Sequence, residues 1–369
     1  MTHARAAVQV APKRTEMREL PLPEVPPDGG LLRVLAAGVC GSDVPYYADG
    51  SHGPRILGHE NVGTIEKIGD LARERWRVEE GDLVALEEYL PCGFCADCRV
   101  GEYRSCAQTD TRAGTLRYGW TPLDVAPGLW GGFSEFQFLH PRAVLHRVPA
   151  GVAPRVAALA LPLGNGFQWA CIDGCAGPGQ TVVVQGPGQQ GLACVIAAKA
   201  AGARTVIVSG LARDAHRLAA ARRLGADLTV NVEEESLAAV VREATDGALA
   251  DLVIDVSSGG GVPVVNGALE LVRKRGTLLL ASYKRVPLDG FAIDTVIARQ
   301  IAVRGVRGHS YRAVEMALAL MAQHTVDLAA LSTHAFGLDE VDRALRLAGG
   351  EVDDGAIHVS ITPWNGRSR

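Results

Sequence analysis

The sequence has no apolar run approaching the roughly 20 residues needed to cross a bilayer. Its start, MTHARAAVQVAPKRTEMREL, lacks an apolar signal core, so the chain reads as cytoplasmic. It also lacks an excess of either charge. A formal net charge of −4 gives no reason to expect nucleic acid or an anionic membrane as a partner. Internal repeats and low-complexity segments are absent. Cysteine is scarce: eight in 369 residues are, in a reducing compartment, thiols or metal ligands rather than a disulfide framework. What is present is globular in character, 47% hydrophobic and 21% charged. The length exceeds one ordinary core, so two domains are expected.

The first 150 residues carry short apolar stretches broken by Gly and Pro, such as LLRVLAAGVCGSD, NVGTIEKIG, DLVALEEYL and FSEFQFL. They read as strands of an irregular β domain. From about residue 160 short buried strands (TVVVQG, RTVIVSG, LTVNV, DLVIDVS, GTLLLAS) alternate with helices such as LACVIAAKAAG and RDAHRLAAARRLG. That alternation predicts an α/β unit with a doubly wound parallel sheet. After about residue 305 two more helical stretches and a final strand, GAIHVSI, follow.

Half of the cysteines fall in LPCGFCADCRVGEYRSC, where Cys92, Cys95, Cys98 and Cys106 are spaced C-x2-C-x2-C-x7-C. Four thiolates on one loop suit the closed tetrahedral shell of a structural zinc. Scattered thiols would rarely give this spacing, and a redox pair would sit at a helix start beside a βαβ unit. A zinc ribbon for nucleic acid competes, but it has two separated pairs and basic surroundings, whereas acids surround this loop. A shell closed by four protein ligands has no place for substrate, so the chemistry must lie elsewhere.

Two upstream stretches offer further ligands. AAGVCGSD carries Cys40 and Ser42, and ILGHENVG carries His59 and Glu60. Taken singly, Cys40 reads as a core thiol and His59 as a loop histidine. Further on, TVVVQGPGQQGLACVIAAKAAG is strand, turn and helix, with Gly186, Gly188 and Gly191 forming G-x-G-x-x-G. These glycines would make the turn, admit a pyrophosphate and let helix and strand pack, with the helix N-terminus on the phosphates. The next strand ends in Gly210 where an acid would grip the ribose of NAD, and Arg213 follows. Arg213 either pairs with the 2′-phosphate of NADP or is a solvated helix-start residue, with NAD used; both stay open.

In order, GVCGSD, GHENVGTIEKIGD, the four-cysteine loop, GGFSEF and GPGQQG cover nearly the whole chain. Together they resemble the zinc-containing medium-chain alcohol and polyol dehydrogenases of the sorbitol and threonine dehydrogenase type. The resemblance implies a GroES-like catalytic domain over residues 1–160, completed by 306–369, and a Rossmann domain over 161–305. It implies two zincs per chain, one structural and one catalytic, the latter at Cys40, His59 and Glu60. It also implies NAD or NADP, a small-molecule alcohol and ketone pair, and a homodimer or homotetramer. Two departures stand out. Leu161 occupies the place where many relatives have a further acid or thiol ligand, leaving three protein ligands and one open position. Pro45 stands where many have a relay histidine, so Ser42, with water or a cofactor hydroxyl, would pass the proton.

The expected reaction is reversible oxidation of a secondary alcohol or polyol to a ketone. Tyr46, Trp130, Phe167 and Trp169 are candidate pocket walls and equally candidate core residues. Residues 111–130 are long for a plain connection and read as pocket-shaping. The rival expectations are a zinc-free quinone or enoyl reductase on the same fold, and a non-catalytic nucleotide-binding protein.

Overall fold

The computed structural model of the protein describes residues 2–110, 113–352 and 355–365. The chain forms two compact units, Met1–Leu161 with Ser310–Arg369, and Pro162–His309.

The second unit is built on β-branched runs too short for helices and buried on both faces. Thr181–Gln185, Thr205–Gly210, Leu228–Asn231, Ala250–Asp255, Val272–Leu280 and Ala302–Gly305 form one six-stranded sheet. Every pairing in it is parallel, and the spatial order is third, second, first, fourth, fifth, sixth. This is the Rossmann-like order, with the direction of winding reversing between the first and fourth strands. Val183, Ile207, Val253 and Leu278 lie fully buried at its centre, each burial worth about 1.5–3 kcal/mol. The helix Gln189–Ala200 packs an alanine-rich surface against the sheet, and Gly202 follows it at φ +88°. Only glycine adopts that left-handed conformation without strain.

The first unit contains a seven-stranded, mostly antiparallel GroES-like sheet and a three-stranded one. The latter is opened by the hairpin His3–Ala11 and Arg14–Pro21, which the sequence pattern had not suggested. In the larger sheet Gly30–Gly38 pairs with Glu60–Ile68, and Gly38 stands opposite Glu60. Two segments far apart in sequence thus leave the same end of one ladder, with Cys40 following one strand and His59 preceding the other.

The four-cysteine loop is tied to this unit by a network centred on the buried Tyr103, Glu87 and His146. The Tyr103 hydroxyl donates to Glu87, and His146 contacts Glu87 through Nε2 at 3.1 Å and Glu315 through Nδ1 at 2.6 Å. Tyr311 stacks on His146 with centroids 4.4 Å apart, and its backbone N–H donates to Gly101. Burial alone would lower the His146 pKa, but hydrogen bonds to Glu315 and Glu87 outweigh it and raise it. No helix among the described residues is long and apolar enough to cross a membrane.

Candidate active site and metal centres

Cys92, Cys95, Cys98 and Cys106 bring their sulfurs within 4.8 Å of one another. A tetrahedral site with zinc–sulfur bonds of about 2.3 Å has edges of about 3.8 Å. The Cys95–Cys98 and Cys92–Cys98 separations of 3.4 and 3.9 Å fall on either side of that value. Backbone N–H groups of Cys95 and Cys92 point at Cys92 Sγ and Cys106 Sγ, both at 3.4 Å. The Phe94 backbone N–H chiefly pulls the Cys92 thiol down to about 6, while burial pushes Cys98 up to about 12. The donor set and spacing therefore fit a closed structural zinc shell, and no substrate position remains in it.

A second cluster brings together one ligand atom each from Cys40, His59 and Glu60, again within 4.8 Å of one another. His59 and Glu60 are both 4% exposed. Glycine is required behind them: a Cβ on Gly38 would stand 2.5 Å from Glu60 Oε2 and 2.9 Å from His358 Nε2. Asp43, fully buried, accepts the Cys40 backbone N–H at 2.9 Å and places a carboxylate oxygen 3.2 Å from His59 Nδ1. That leaves His59 Nε2 for the centre of the cluster, the usual arrangement behind a metal-bound imidazole. Glu88 Oε2 lies 3.7 Å from the same Nε2. Ser42 is exposed and donates to Cys40 Sγ at 3.2 Å, with His59 Nε2 3.5 Å away.

The electrostatics point the same way. Burial pushes the Cys40 thiol up, the Glu60 carboxylate adds to this, and His59 opposes it. Burial would lower His59, but Asp43 and Cys40 hold it well above its usual value. Four potential anions converge on one imidazole, so the pocket favours positive charge. A divalent cation with N, S and O donors fits that demand. Three protein donors leave a tetrahedral ion one open position.

Asp43 and Glu88 had not been singled out in the sequence, although Asp43 stands in the same GVCGSD stretch. Trp120 had not been named either; its ring meets His59 at a tilt of 37° with centroids 4.1 Å apart, and Tyr46 meets it edge-on at 5.6 Å. It belongs to the segment 111–130, of which residues 111 and 112 lie outside the described ones. Trp130, by contrast, is core, 2% exposed with its indole N–H donating to Val125 O. Phe167 and Trp169 belong to the other unit, where Trp169 donates to Gly308 O at 3.0 Å. Leu161 is buried, 4% exposed.

In the Rossmann-like unit a cavity of about 610 Å3 opens at the C-terminal ends of the first and fourth strands, where winding reverses. Gly186, Gly188, Gly210 and Arg213 line it. Gly186 has φ +101°, and a Cβ on Gly191 would collide with Gly186 O at 1.9 Å. Gly188 caps the helix, and a Cβ there would meet nothing within 4 Å. Turn, close packing and open space before a helix N-terminus fit a dinucleotide pyrophosphate. Arg213 is exposed at the cavity, whereas Arg217 pairs with Asp214 at 3.4 Å. Asp214 turns its other oxygen back to the Leu211 N–H. Gly210 is sterically fixed, since a Cβ there would stand 2.8 Å from the Pro187 ring.

Comparison with known proteins bears on both units. Residues 26–150 match the alcohol dehydrogenase GroES-like domain, and 191–323 match the zinc-binding dehydrogenase family. A probable alcohol dehydrogenase of Mycobacterium tuberculosis is 40% identical over 97% of this chain and 98% of its own. The sorbitol dehydrogenase of Halalkalibacterium halodurans is 33% identical over 90% of this chain and 91% of its own. Among solved structures, an alcohol dehydrogenase from Thermus sp. ATN1 superposes with a TM-score of 0.83 at 27% identity, covering 97% of this chain and 99% of that one.

Proposed function

On the premise that the chain belongs to the zinc-binding medium-chain alcohol dehydrogenase family, we propose that it interconverts a secondary alcohol or polyol with its ketone, using NAD or NADP. The observation that carries this reading is the convergence of Cys40, His59 and Glu60 beside an exposed serine hydroxyl. In this reading those three residues hold the catalytic zinc, and the four-cysteine loop holds a structural one.

A zinc ion held there would supply Lewis acidity toward an alcohol hydroxyl, and a bound nicotinamide would supply the hydride acceptor. The chain's own residues do the rest. Asp43 fixes the tautomer and tilt of His59, so Nε2 stays directed inward. Ser42, at the solvent edge and 3.5 Å from that nitrogen, carries the substrate proton outward in place of a relay histidine. Gly186, Gly188 and Gly191 seat the pyrophosphate, which sets the depth of the dinucleotide. Arg213, exposed at the cavity, favours acceptance of NADP by pairing with its 2′-phosphate, while the Asp214 carboxylate beside Gly210 is engaged by Arg217 and the Leu211 N–H.

The reading includes a cytoplasmic homodimer or homotetramer; all eight cysteines are free, as a reducing compartment requires. The test is purified, zinc-replete protein with a panel of polyols and of aliphatic and aryl secondary alcohols, each with NAD and NADP. Formation of reduced nicotinamide with at least one alcohol is expected. Folded protein that turns over none of them contradicts the proposal.

A further inference from the structure

Two arginines are buried among the described residues, and they are treated very differently. Arg55, 5% exposed, donates to the carbonyl oxygens of Gly53, Trp120 and His52. Arg117 is 8% exposed, yet among the described residues its guanidinium makes no hydrogen bond and has no carboxylate within 4.0 Å. Its one contact of note is the Trp120 ring, 3.6 Å below it. A guanidinium with so little exposure and no anion or acceptor keeps only part of its hydration, which is costly. Stacking on an indole offsets only part of that cost. None of its nitrogens is sealed without a partner, so the exposure it retains lies at the guanidinium.

The position of this cation matters as much as its lack of a partner. The Trp120 ring also contacts His59, at 4.1 Å, so two ring contacts link the guanidinium to the proposed metal cluster. Glu88, whose backbone carbonyl accepts the Tyr118 N–H next to Arg117, places its carboxylate 3.7 Å from His59 Nε2. The indole N–H of Trp120 likewise has no acceptor among the described residues. The Arg117 guanidinium and the Trp120 indole N–H are thus donors without acceptors among the described residues, while the carboxylates of Asp43 and Glu88 face His59.

The geometry points to Arg117 as the recognition residue for an anionic group, carboxylate or phosphate, on the alcohol substrate. This rests on the dehydrogenase reading and deepens it, making the substrate an acidic secondary alcohol rather than a neutral polyol. The planar fork suits bidentate pairing with either group. Trp120 holds the fork in place.

The test is calorimetric titration of the zinc-loaded enzyme with butyrate and, separately, methyl phosphate, neither of which carries an oxidisable hydroxyl. The wild type is expected to bind one of them, identifying carboxylate or phosphate. Arg117→Met should weaken that binding by about tenfold or more, and Arg117→Lys should retain part of it. Equal binding by wild type and folded Arg117→Met, or none by wild type, overturns the proposal and leaves Arg117 as a prop for Trp120. Should Arg117→Met not fold, the wild type still decides: 3-hydroxybutyrate or glycerol 1-phosphate must exceed 2-butanol in kcat/KM, and the reverse order overturns it. Turnover of neutral alcohols without anion preference sinks this inference alone. Arg117-dependent anion binding without turnover of any alcohol sinks the dehydrogenase reading alone.

Discussion

Cys92, Cys95, Cys98 and Cys106 come from one seventeen-residue stretch, and three of them stay half-exposed. Cys40, His59 and Glu60 come from two segments joined by a strand pair, and the histidine and acid are buried behind a glycine. In the first cluster all four donors are sulfur, tethered so closely that chain spacing alone brings them together. In the second the donors are mixed, the sheet aligns them, and carboxylates at Asp43 and Glu88 surround them. The closed set holds a lobe; the open set leaves a coordination position beside a serine and an aromatic wall.

The largest effect that separates the two clusters is on turnover. His59→Ala removes one of three proposed ligands, and kcat is expected to fall by about a thousandfold or more, about 4 kcal/mol of transition-state stabilisation. Cys98→Ser should instead lower Tm and the yield of folded protein, with turnover per folded molecule near that of wild type. If folded Cys98→Ser lost hydride transfer as severely as His59→Ala, the division between the clusters would be wrong. Next in size is Asp43→Asn, which keeps the volume but removes the charge facing His59 Nδ1. Zinc affinity at that site should fall about 10–100-fold, read by competition with a chelator, while the four-cysteine site holds its metal. Unchanged affinity would remove Asp43 from the site.

A smaller effect concerns the cofactor. An aspartate at Gly210 meets the Pro187 ring, so the cleaner probe is Arg213→Ser. It should lower kcat/KM for NADP relative to NAD by about tenfold, about 1.4 kcal/mol. An unchanged ratio would make Arg213 a solvated helix-start residue. The smallest effect is on stability of the zinc lobe. The folded pKa of His146 is raised by Glu315 and Glu87, so its contribution is complete below the ordinary value of about 6.5. It is lost as pH rises through the raised folded value. The Tm deficit of His146→Gln should therefore be largest at acid pH and shrink as pH increases; a pH-independent deficit contradicts a protonated His146.

The same contrast decides what could be read from the sequence. The cysteine spacing and G-x-G-x-x-G are local, because loop length and turn geometry bring their atoms together, and they were legible. So were the short buried strands of the parallel sheet, each a β-branched run with little other choice. Asp43 and Glu88 were not, because their roles depend on the register that sets Gly38 against Glu60. Trp120 and Arg117 lay in a segment recognised as unusually long, but nothing in its pattern told the ring on His59 from Trp130 in the core. The hairpin His3–Ala11 and Arg14–Pro21 escaped because its outer strand is largely polar and alternates only weakly.

The account stands most directly on the zinc content of the wild-type protein, purified under zinc-replete conditions, beside His59→Ala and Cys98→Ser. Two zincs per chain are expected in the wild type, with Leu161 contributing no ligand, and about one in each variant, activity surviving only in folded Cys98→Ser. A wild-type protein that carries a single zinc, unchanged in His59→Ala, would contradict the open metal site and return the chain to the zinc-free reductases.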